Sequence, residues 1–182
     1  MVRAIDRDNL GAWLLKANPA LWDLAAFLEA GEKRLTSWAV QPSYRTMLMT
    51  PGDRVLFWVS GDGRSGLARG VWGDGRLVAP AEDWVDAEPG FWRDDRARQA
   101  LRARVKVDIR LLDEPVTAVE LRSRGLTDLE VLRMPQGSNP SWVSRTQLAI
   151  LDELLPGVEL IPGGRRADRR RLGSPDRGCR AP

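Results

Sequence analysis

The sequence predicts an α+β fold, in which short, mostly antiparallel strands form a small barrel with helices at its periphery. The first observation is a hairpin over residues 51–72, where two apolar runs of strand length flank a Gly-Asp-Gly-Arg-Ser turn. The second is the order of the other segments, because one helical pattern follows the first strand and the others come only late in the chain. Alternating strand and helix units of a parallel sheet do not fit that order, whereas a small barrel does.

The chain begins with a predicted strand and a predicted helix. Residues 12–17 form a short, mostly apolar run that predicts a strand, and it ends at Asn18 and Pro19. Asparagine is a favoured N-cap and proline suits the first helical position, so these two residues predict a helix start. The spacing of the apolar residues favours a helix to about Ala30, which Gly31 ends.

Further strands surround the hairpin. Residues 36–40 predict a short strand, and residues 41–50 predict a connection. Residues 55–59 are apolar without interruption, which is typical of a strand buried on both faces and therefore central in its sheet. The hairpin is followed by a short run at 76–79 and then by a long polar segment at 80–90.

The later part of the chain predicts one long strand and several helices. Residues 104–112 alternate apolar and polar side chains, which predicts a half-exposed strand that Pro115 ends. Residues 134–143 contain two prolines and a glycine and are predicted to be irregular, and residues 158–161 are predicted to close the sheet. Capping-box pairs predict three helix starts: Thr117 with Glu120, Thr127 with Glu130, and Ser144 with Gln147.

The length of 182 residues predicts one domain, residues 1–162, and a C-terminal tail, residues 163–182. The tail holds seven arginines against Asp168 and Asp176 and almost nothing apolar, so we expect it to be disordered. Without the tail, the formal net charge of +3 becomes slightly negative. The tail's arginines suit either phosphate backbones, without sequence preference, or a merely solubilising role.

Composition excludes several classes of chemistry. Histidine is absent and Cys179 is the single cysteine, which excludes Ser-His or Cys-His catalysis, a disulfide framework and a four-thiolate metal site. We expect no metal and no cofactor, because the acidic residues form no cluster and no glycine-rich phosphate loop is present. No apolar run reaches the roughly 18 residues of a membrane span. The N-terminus also lacks a signal-peptide pattern, so we expect a cytoplasmic protein without membrane contact.

The excess of tryptophan indicates binding by flat aromatic surfaces rather than catalysis. The chain has eight tryptophans against one tyrosine. Trp38 stands between Ser37 and Ala39, whose small side chains leave room beside the indole. Trp84 lies in a loop rich in aspartate, glutamate and proline, where it either folds over the barrel mouth as a lid or lines a binding pocket.

Four segments in order resemble an EVE domain. They are Trp-Leu-Leu-Lys-Ala-Asn-Pro from residue 13, Ser-Trp-Ala-Val from residue 37, Gly-Asp-Arg-Val-Leu-Phe-Trp-Val-Ser-Gly from residue 52, and Glu-Val-Leu-Arg-Met-Pro-Gln-Gly-Ser-Asn-Pro from residue 130. The resemblance covers about residues 11–155. EVE domains belong to the PUA-like superfamily and are similar in fold to YTH domains, so the resemblance implies a PUA-like pseudo-β-barrel.

The resemblance also implies a non-catalytic nucleic-acid-binding function, with an aromatic pocket for a modified nucleobase that is flipped out of DNA or held in single-stranded RNA. Trp38 matches the first cage wall, and either Trp84 or Trp92 matches the second. Asn18 matches a reader of the base edge, and Asn139 belongs to a late loop that borders the mouth. The implied pocket comprises Asn18, Ser37, Trp38, Ala39, Trp84, Trp92 and Asn139, and the implied phosphate contacts are Lys16, Lys33 and Arg34.

Several alternatives remain open at this point. Trp38 is otherwise a core indole whose N–H is satisfied by a backbone carbonyl, and Asn18 is otherwise a plain helix N-cap. A second function is an enzyme that acts on nucleotides or RNA on the same scaffold, through Lys16, Asp53, Asp83 or Asp86. A third is an adaptor, in which all tryptophans are core and the arginine-rich tail binds acidic partners.

Overall fold

The computed structural model describes residues 5–61, 64–83, 90–100 and 103–156. Its strands are β1 Leu10–Ala17, β2 Arg34–Val40, β3 Arg54–Val59, β4 Gly70–Asp83, β5 Ala103–Thr117 and β6 Ser141–Ser144. Its helices are α1 Leu24–Glu29, α2 Tyr44–Leu48, α3 Asp95–Ala100, α4 Ala118–Ser123, α5 Glu130–Arg133 and α6 Arg145–Asp152. In this part of the chain, no helix is long and apolar enough to cross a membrane.

The strands form one sheet in the order β2-β5-β4-β3-β1-β6. Strands β1 and β3 pair in parallel, and every other neighbouring pair is antiparallel. The predicted α+β class with mostly antiparallel strands is therefore confirmed. The predicted hairpin is also confirmed, since β3 and β4 pair and β3 lies centrally between β4 and β1.

The central strand separates two apolar clusters, which explains its uninterrupted apolar sequence. Val55 and Phe57 belong to the cluster on one face, together with Trp38. Leu56 and Trp58 belong to the cluster on the other face, beneath α4 and α6. Strand β5 instead alternates buried and exposed residues, as its sequence predicts, because its second face is open to solvent.

The ends of the sheet are joined by side chains and a loop rather than by strand pairing, so the sheet is not closed into a barrel. The side chain of Asn139, just before β6, donates to the carbonyls of Lys16 on β1 and Ala39 on β2 at 3.4 Å each. The backbone N–H of Gln41 donates to the carbonyl of Asn139 at 2.8 Å. These contacts bring the edge strand β2 next to β1 at the far side of the sheet.

The predicted helix start at Asn18 and Pro19 is wrong. Residues 19–21 form a turn, and α1 begins only after Asp23, whose side chain accepts from the N–H of Ala26 at 3.1 Å. The Asn18 side chain closes the turn instead, by accepting from the N–H of Ala20 at 3.0 Å. An Asn-Pro pair suits an Asx turn as well as an N-cap, and here the turn prevails. The predicted end is confirmed, with Gly31 at a φ of 80°.

Two later boundaries also differ from the sequence prediction. Strand β5 continues through Pro115 to Thr117, because the ladder skips from Leu111 to Val116 opposite β4. Proline is tolerated in such a bulge, where its missing N–H costs no ladder bond. Thr127 does not cap α5, which has Leu129 at its N-cap and no side-chain hydrogen bond there.

Other predictions are confirmed or fall beyond the described residues. The capping boxes of Thr117 with Glu120 and of Ser144 with Gln147 are both present. The connection at 41–50 contains the short helix α2, and the irregular stretch at 134–143 ends in β6. Trp84, the predicted strand at 158–161 and the predicted tail at 163–182 lie outside the described residues.

Candidate functional site

Two adjoining cavities meet at Trp38 on the edge strand β2. The smaller cavity has a volume of about 190 Å³ and the larger one about 420 Å³. Residues that line both cavities are Trp22, Trp38, Ala39 and Trp92. The smaller cavity is completed by Lys16, Asn18, Leu21, Gln41, Ser60 and the segment 135–139, and the larger one includes Phe27, Arg34, Ser37, Phe91 and Arg104.

Trp38 is both a core residue and a cavity wall. Its side chain is only 6% exposed and makes edge contacts with Trp22 and Phe57, at centroid distances of 4.9 and 4.8 Å. Its indole N–H donates to the carbonyl of Lys16 at 3.2 Å. Trp38 is therefore a core indole whose N–H is satisfied by a backbone carbonyl, which was one of the alternatives that the sequence left open. The same ring also borders both cavities. A substitution at Trp38 therefore affects folding as well as any ligand.

Three indoles, Trp22, Trp38 and Trp92, form the aromatic wall of the smaller cavity. Trp22 and Trp92 face each other in an antiparallel bridge. On either side of that bridge, the N–H of Asp23 donates to the carbonyl of Phe91 at 2.7 Å, and that of Arg93 to the carbonyl of Leu21 at 2.8 Å. Trp92 thus lines the cavity together with Trp38, and its role as the second cage wall stays a prediction. Sequence reasoning did not single out Trp22 as a wall residue.

An ion pair between the residues that follow Trp22 and Trp92 stabilises this bridge. Asp23 contacts Arg93 at 2.6 Å. The hydrogen bonds from Arg93 and from the Ala26 N–H lower the pKa of Asp23. Asp23 therefore links the start of α1 to the segment that carries Trp92.

Residues 135–139 form the loop wall of the smaller cavity, and Lys16 holds it. The Lys16 ammonium donates to the carbonyls of Gly137 and Pro135. Burial lowers the pKa of Lys16, which Glu130 partly offsets. The Lys16 backbone N–H donates to Oδ1 of Asn139 at 3.1 Å. Lys16, implied as a phosphate contact, and Asn139, implied as a pocket residue, both border the cavity while holding backbone groups.

A buried ion pair supports the loop wall from beneath. The guanidinium of Arg45 pairs with both carboxylate oxygens of Glu130, at 2.8 and 2.7 Å, and also donates to the carbonyl of Pro140 at 3.0 Å. The Ser141 hydroxyl donates to the same carboxylate. Burial would raise the pKa of Glu130, but the hydrogen bonds from Arg45 and Ser141 outweigh it and hold that pKa below its usual range.

Asn18 lies on the smaller cavity with one half of its amide in use. Its Oδ1 accepts from the N–H of Ala20 at 3.0 Å, and among the described residues its Nδ2 has no hydrogen-bond partner. Asn18 is therefore not a helix cap, and its amide nitrogen remains available at the cavity. Its part in base reading stays a prediction.

The predicted phosphate contacts other than Lys16 pair with carboxylates. Lys33 contacts Asp113 at 2.9 Å, and Nε of Arg34 contacts Asp108 at 2.6 Å. A further cation on the larger cavity, Arg104, was not singled out from the sequence, although it opens the alternating strand β5. Its guanidinium donates to the hydroxyl of Ser37 at 2.6 Å.

The residues suggested for an enzyme do not gather at the cavities. Asp53 accepts from Arg7 at 2.8 Å, from the Trp13 indole at 2.9 Å and from the N–H of Thr50 at 2.9 Å, which ties the N-terminal segment to the sheet. Asp83 is exposed at the end of β4, and Asp86 lies outside the described residues. Within the described ranges, no group of three or more Cys, Asp or Glu side chains is arranged to hold a metal ion.

The chain matches the family model of the EVE domain over residues 11–153. Among curated proteins, none matches it. A hypothetical protein from Leishmania major has a similar structure, with a TM-score of 0.53 and 23% sequence identity, over 82% of this chain and 96% of that chain.

Two human structures have the same fold. The DUF55 domain of human thymocyte nuclear protein 1 has a TM-score of 0.52 and 17% identity, over 79% of this chain and 97% of that chain. Human THYN1 protein in complex with 5-methylcytosine containing DNA has a TM-score of 0.51 and 17% identity, over 80% of this chain and 99% of that chain. These likenesses confirm the predicted PUA-like fold.

Proposed function

This chain belongs to the EVE domain family, and from that premise we propose that it is a non-catalytic module that binds nucleic acid carrying a modified base. The observation that carries the proposal is the smaller cavity, where three indoles meet the polar groups of Asn18 and the loop wall. The base enters this cavity, out of the stack of its neighbours. The rest of the nucleic acid stays at the surface.

The dimensions and the walls of the smaller cavity suit a single heteroaromatic ring. A cavity of about 150 Å³ in another protein holds benzene, and this one measures about 190 Å³. Stacking on an aromatic side chain contributes about 1–3 kcal/mol per base and is open to every base type, because every base has a π face. Trp92, which is only partly buried, supplies this surface beside the more deeply buried Trp38.

Selection among bases requires hydrogen bonds at the base edge, because stacking alone does not discriminate. Asn18 suits this role, since its amide nitrogen carries two donors and only its oxygen is committed to the turn. The loop wall limits how deep the ring enters. A methyl group on the base adds only about 0.8 kcal/mol when buried, which is about a fourfold preference.

DNA with 5-methylcytosine is the first ligand to test, because THYN1, which has the same fold, is in complex with such DNA. Strands with one 5-methylcytosine and with cytosine at the same position would be titrated, with tryptophan fluorescence as the readout. We expect tighter binding of the methylated strand, by about fourfold or more. Equal affinity for every modified and unmodified strand, including RNA strands of the same sequence, would contradict the proposal.

A further inference from the structure

We propose that the larger cavity is a second subsite, which holds a phosphate ester of the nucleotide whose base occupies the smaller cavity, with Arg104 and Ser37 as its contacts. This inference rests on the proposed function and extends it from a base to a nucleotide. The two cavities share the wall of Trp38, Ala39 and Trp92. A sugar joins base and phosphate in every nucleotide, so a base on one side of this wall places its phosphate near the other side.

The larger cavity has the size and composition for more than one ring. Its volume of about 420 Å³ falls in the range of about 300–1,000 Å³ that is typical of small-molecule sites. Phe27, Phe91 and Trp92 give it an aromatic side, while Ser37 and Arg104 give it a polar one. This combination of flat apolar surface and guanidinium suits a sugar-phosphate unit.

Charge favours an anion at the Arg104 end. Arg104 sits opposite Ala39 in the β2–β5 ladder, and its guanidinium donates to the hydroxyl of Ser37 at 2.6 Å on the wall of the larger cavity. A guanidinium matches phosphate geometry through several parallel N–H donors, and the hydroxyl of Ser37 retains its own proton to donate.

The neighbourhood of Arg104 also holds carboxylates, and they set a limit to the attraction. Glu82 lies opposite Arg104 in the register of β4 and β5, and its carboxylate is 3.5 Å from the ammonium of Lys106. Glu32 also lines the larger cavity. The subsite is therefore moderately rather than strongly cationic, which suits one phosphate ester and not a long stretch of duplex backbone.

The test compares a nucleoside with its phosphate esters. Calorimetric titrations would use 5-methyl-2′-deoxycytidine, its 5′-monophosphate and its 3′-monophosphate on the parent protein, Arg104→Gln and Arg110→Gln. Arg110 is the matched control, because it is exposed on the same strand and about 20 Å further along it. We expect Arg104→Gln to weaken binding of at least one monophosphate about tenfold or more. Nucleoside affinity should stay unchanged, Arg110→Gln should behave like the parent, and Arg104→Lys should restore part of the loss.

The outcomes distinguish failure of the phosphate subsite from failure of the proposed function. Equal weakening of nucleoside and monophosphates by Arg104→Gln, or no weakening of either, overturns the phosphate subsite while leaving the base proposal intact. A parent protein that binds a monophosphate through Arg104, but shows equal affinity for the methylated and unmethylated strands in the strand titration, supports the subsite and contradicts the proposed function. A parent protein that binds none of the three ligands overturns both. Melting temperatures of all variants ensure that each comparison is made on folded protein.

Discussion

The loop wall and the aromatic wall of the smaller cavity are held in place in different ways. The loop wall is fixed by directed polar bonds, from Lys16, from Asn139 and from the Arg45–Glu130 pair beneath it. The aromatic wall is held mainly by ring packing and by one short backbone bridge. Directed bonds fix the positions of the groups that they join, whereas ring packing holds flat apolar surfaces against one another. The polar side therefore defines the depth of the cavity, and the aromatic side provides the stacking surface.

Breaking the support of the loop wall should give the largest effect. Glu130→Gln leaves the buried guanidinium of Arg45 without its charge partner, which we expect to cost about 3–5 kcal/mol of unfolding free energy. Urea denaturation measures this loss. Glu82→Gln is the matched control, since its pair with Lys106 is exposed and contributes about 0–1 kcal/mol. A Glu130 variant as stable as the Glu82 variant would show that the polar network does not support the fold.

The same support should weaken in acid. The pKa of Glu130 is lowered in the folded protein, so its contribution to stability is complete above its unfolded pKa of about 4.3. The contribution is lost as the pH falls through the lower folded pKa. We expect the difference in unfolding free energy between the parent and Glu130→Gln to be constant near pH 7 and to shrink below about pH 4. A difference that stays constant down to pH 3 would remove Glu130 from this role.

Removing part of the aromatic wall should reduce binding more than stability. Trp92→Ala deletes a partly buried stacking surface, so affinity for DNA with the modified base should fall by about ten- to hundredfold. Trp72→Ala serves as control, because Trp72 is also half-exposed and lines neither cavity. Fluorescence anisotropy of labelled DNA gives both affinities. Equal losses in the two variants would mean that Trp92 has no special place in binding.

A smaller effect is expected at the base edge. Asn18→Asp keeps the oxygen that accepts from Ala20 but removes both amide donors, so the melting temperature should barely change. Selectivity for the preferred base should fall by about two- to tenfold. Asn9→Asp adds the same charge away from the cavities and controls for repulsion of DNA. If Asn18→Asp melts early and keeps its selectivity, Asn18 only closes the turn.

The sequence predicted the elements whose signals are local. The uninterrupted apolar run of β3 and the alternation along β5 specify burial residue by residue, so both strands were predicted correctly. The start of α1 was not, because Asn18 followed by Pro19 suits a turn and a cap equally well. Which of the two forms depends on the pairing of Trp22 with Trp92, seventy residues later in the chain.

The site was predicted only in part, for the same reason. Resemblance pointed to Trp38 and to either Trp84 or Trp92. Trp38 and Trp92 line the cavities, whereas Trp84 lies outside the described residues. Lys16 is about 120 residues away in the sequence from its partners Gly137 and Asn139. Contacts over such a separation leave no periodic signal in the sequence. Arg104 lies at the site because of the register in which β2 and β5 pair. The two strand patterns, taken separately, do not specify that register.

Filling the cavity tests the central claim most directly. Ala39 lines both cavities, and Ala39→Leu adds volume there without deleting a core side chain, so the protein should stay folded. Ala149→Leu, on the exposed side of α6, is the control. We predict that Ala39→Leu lowers the affinity for DNA with 5-methylcytosine about tenfold or more at an unchanged melting temperature. Parent-like affinity in a folded Ala39→Leu variant would place the base elsewhere and contradict the account.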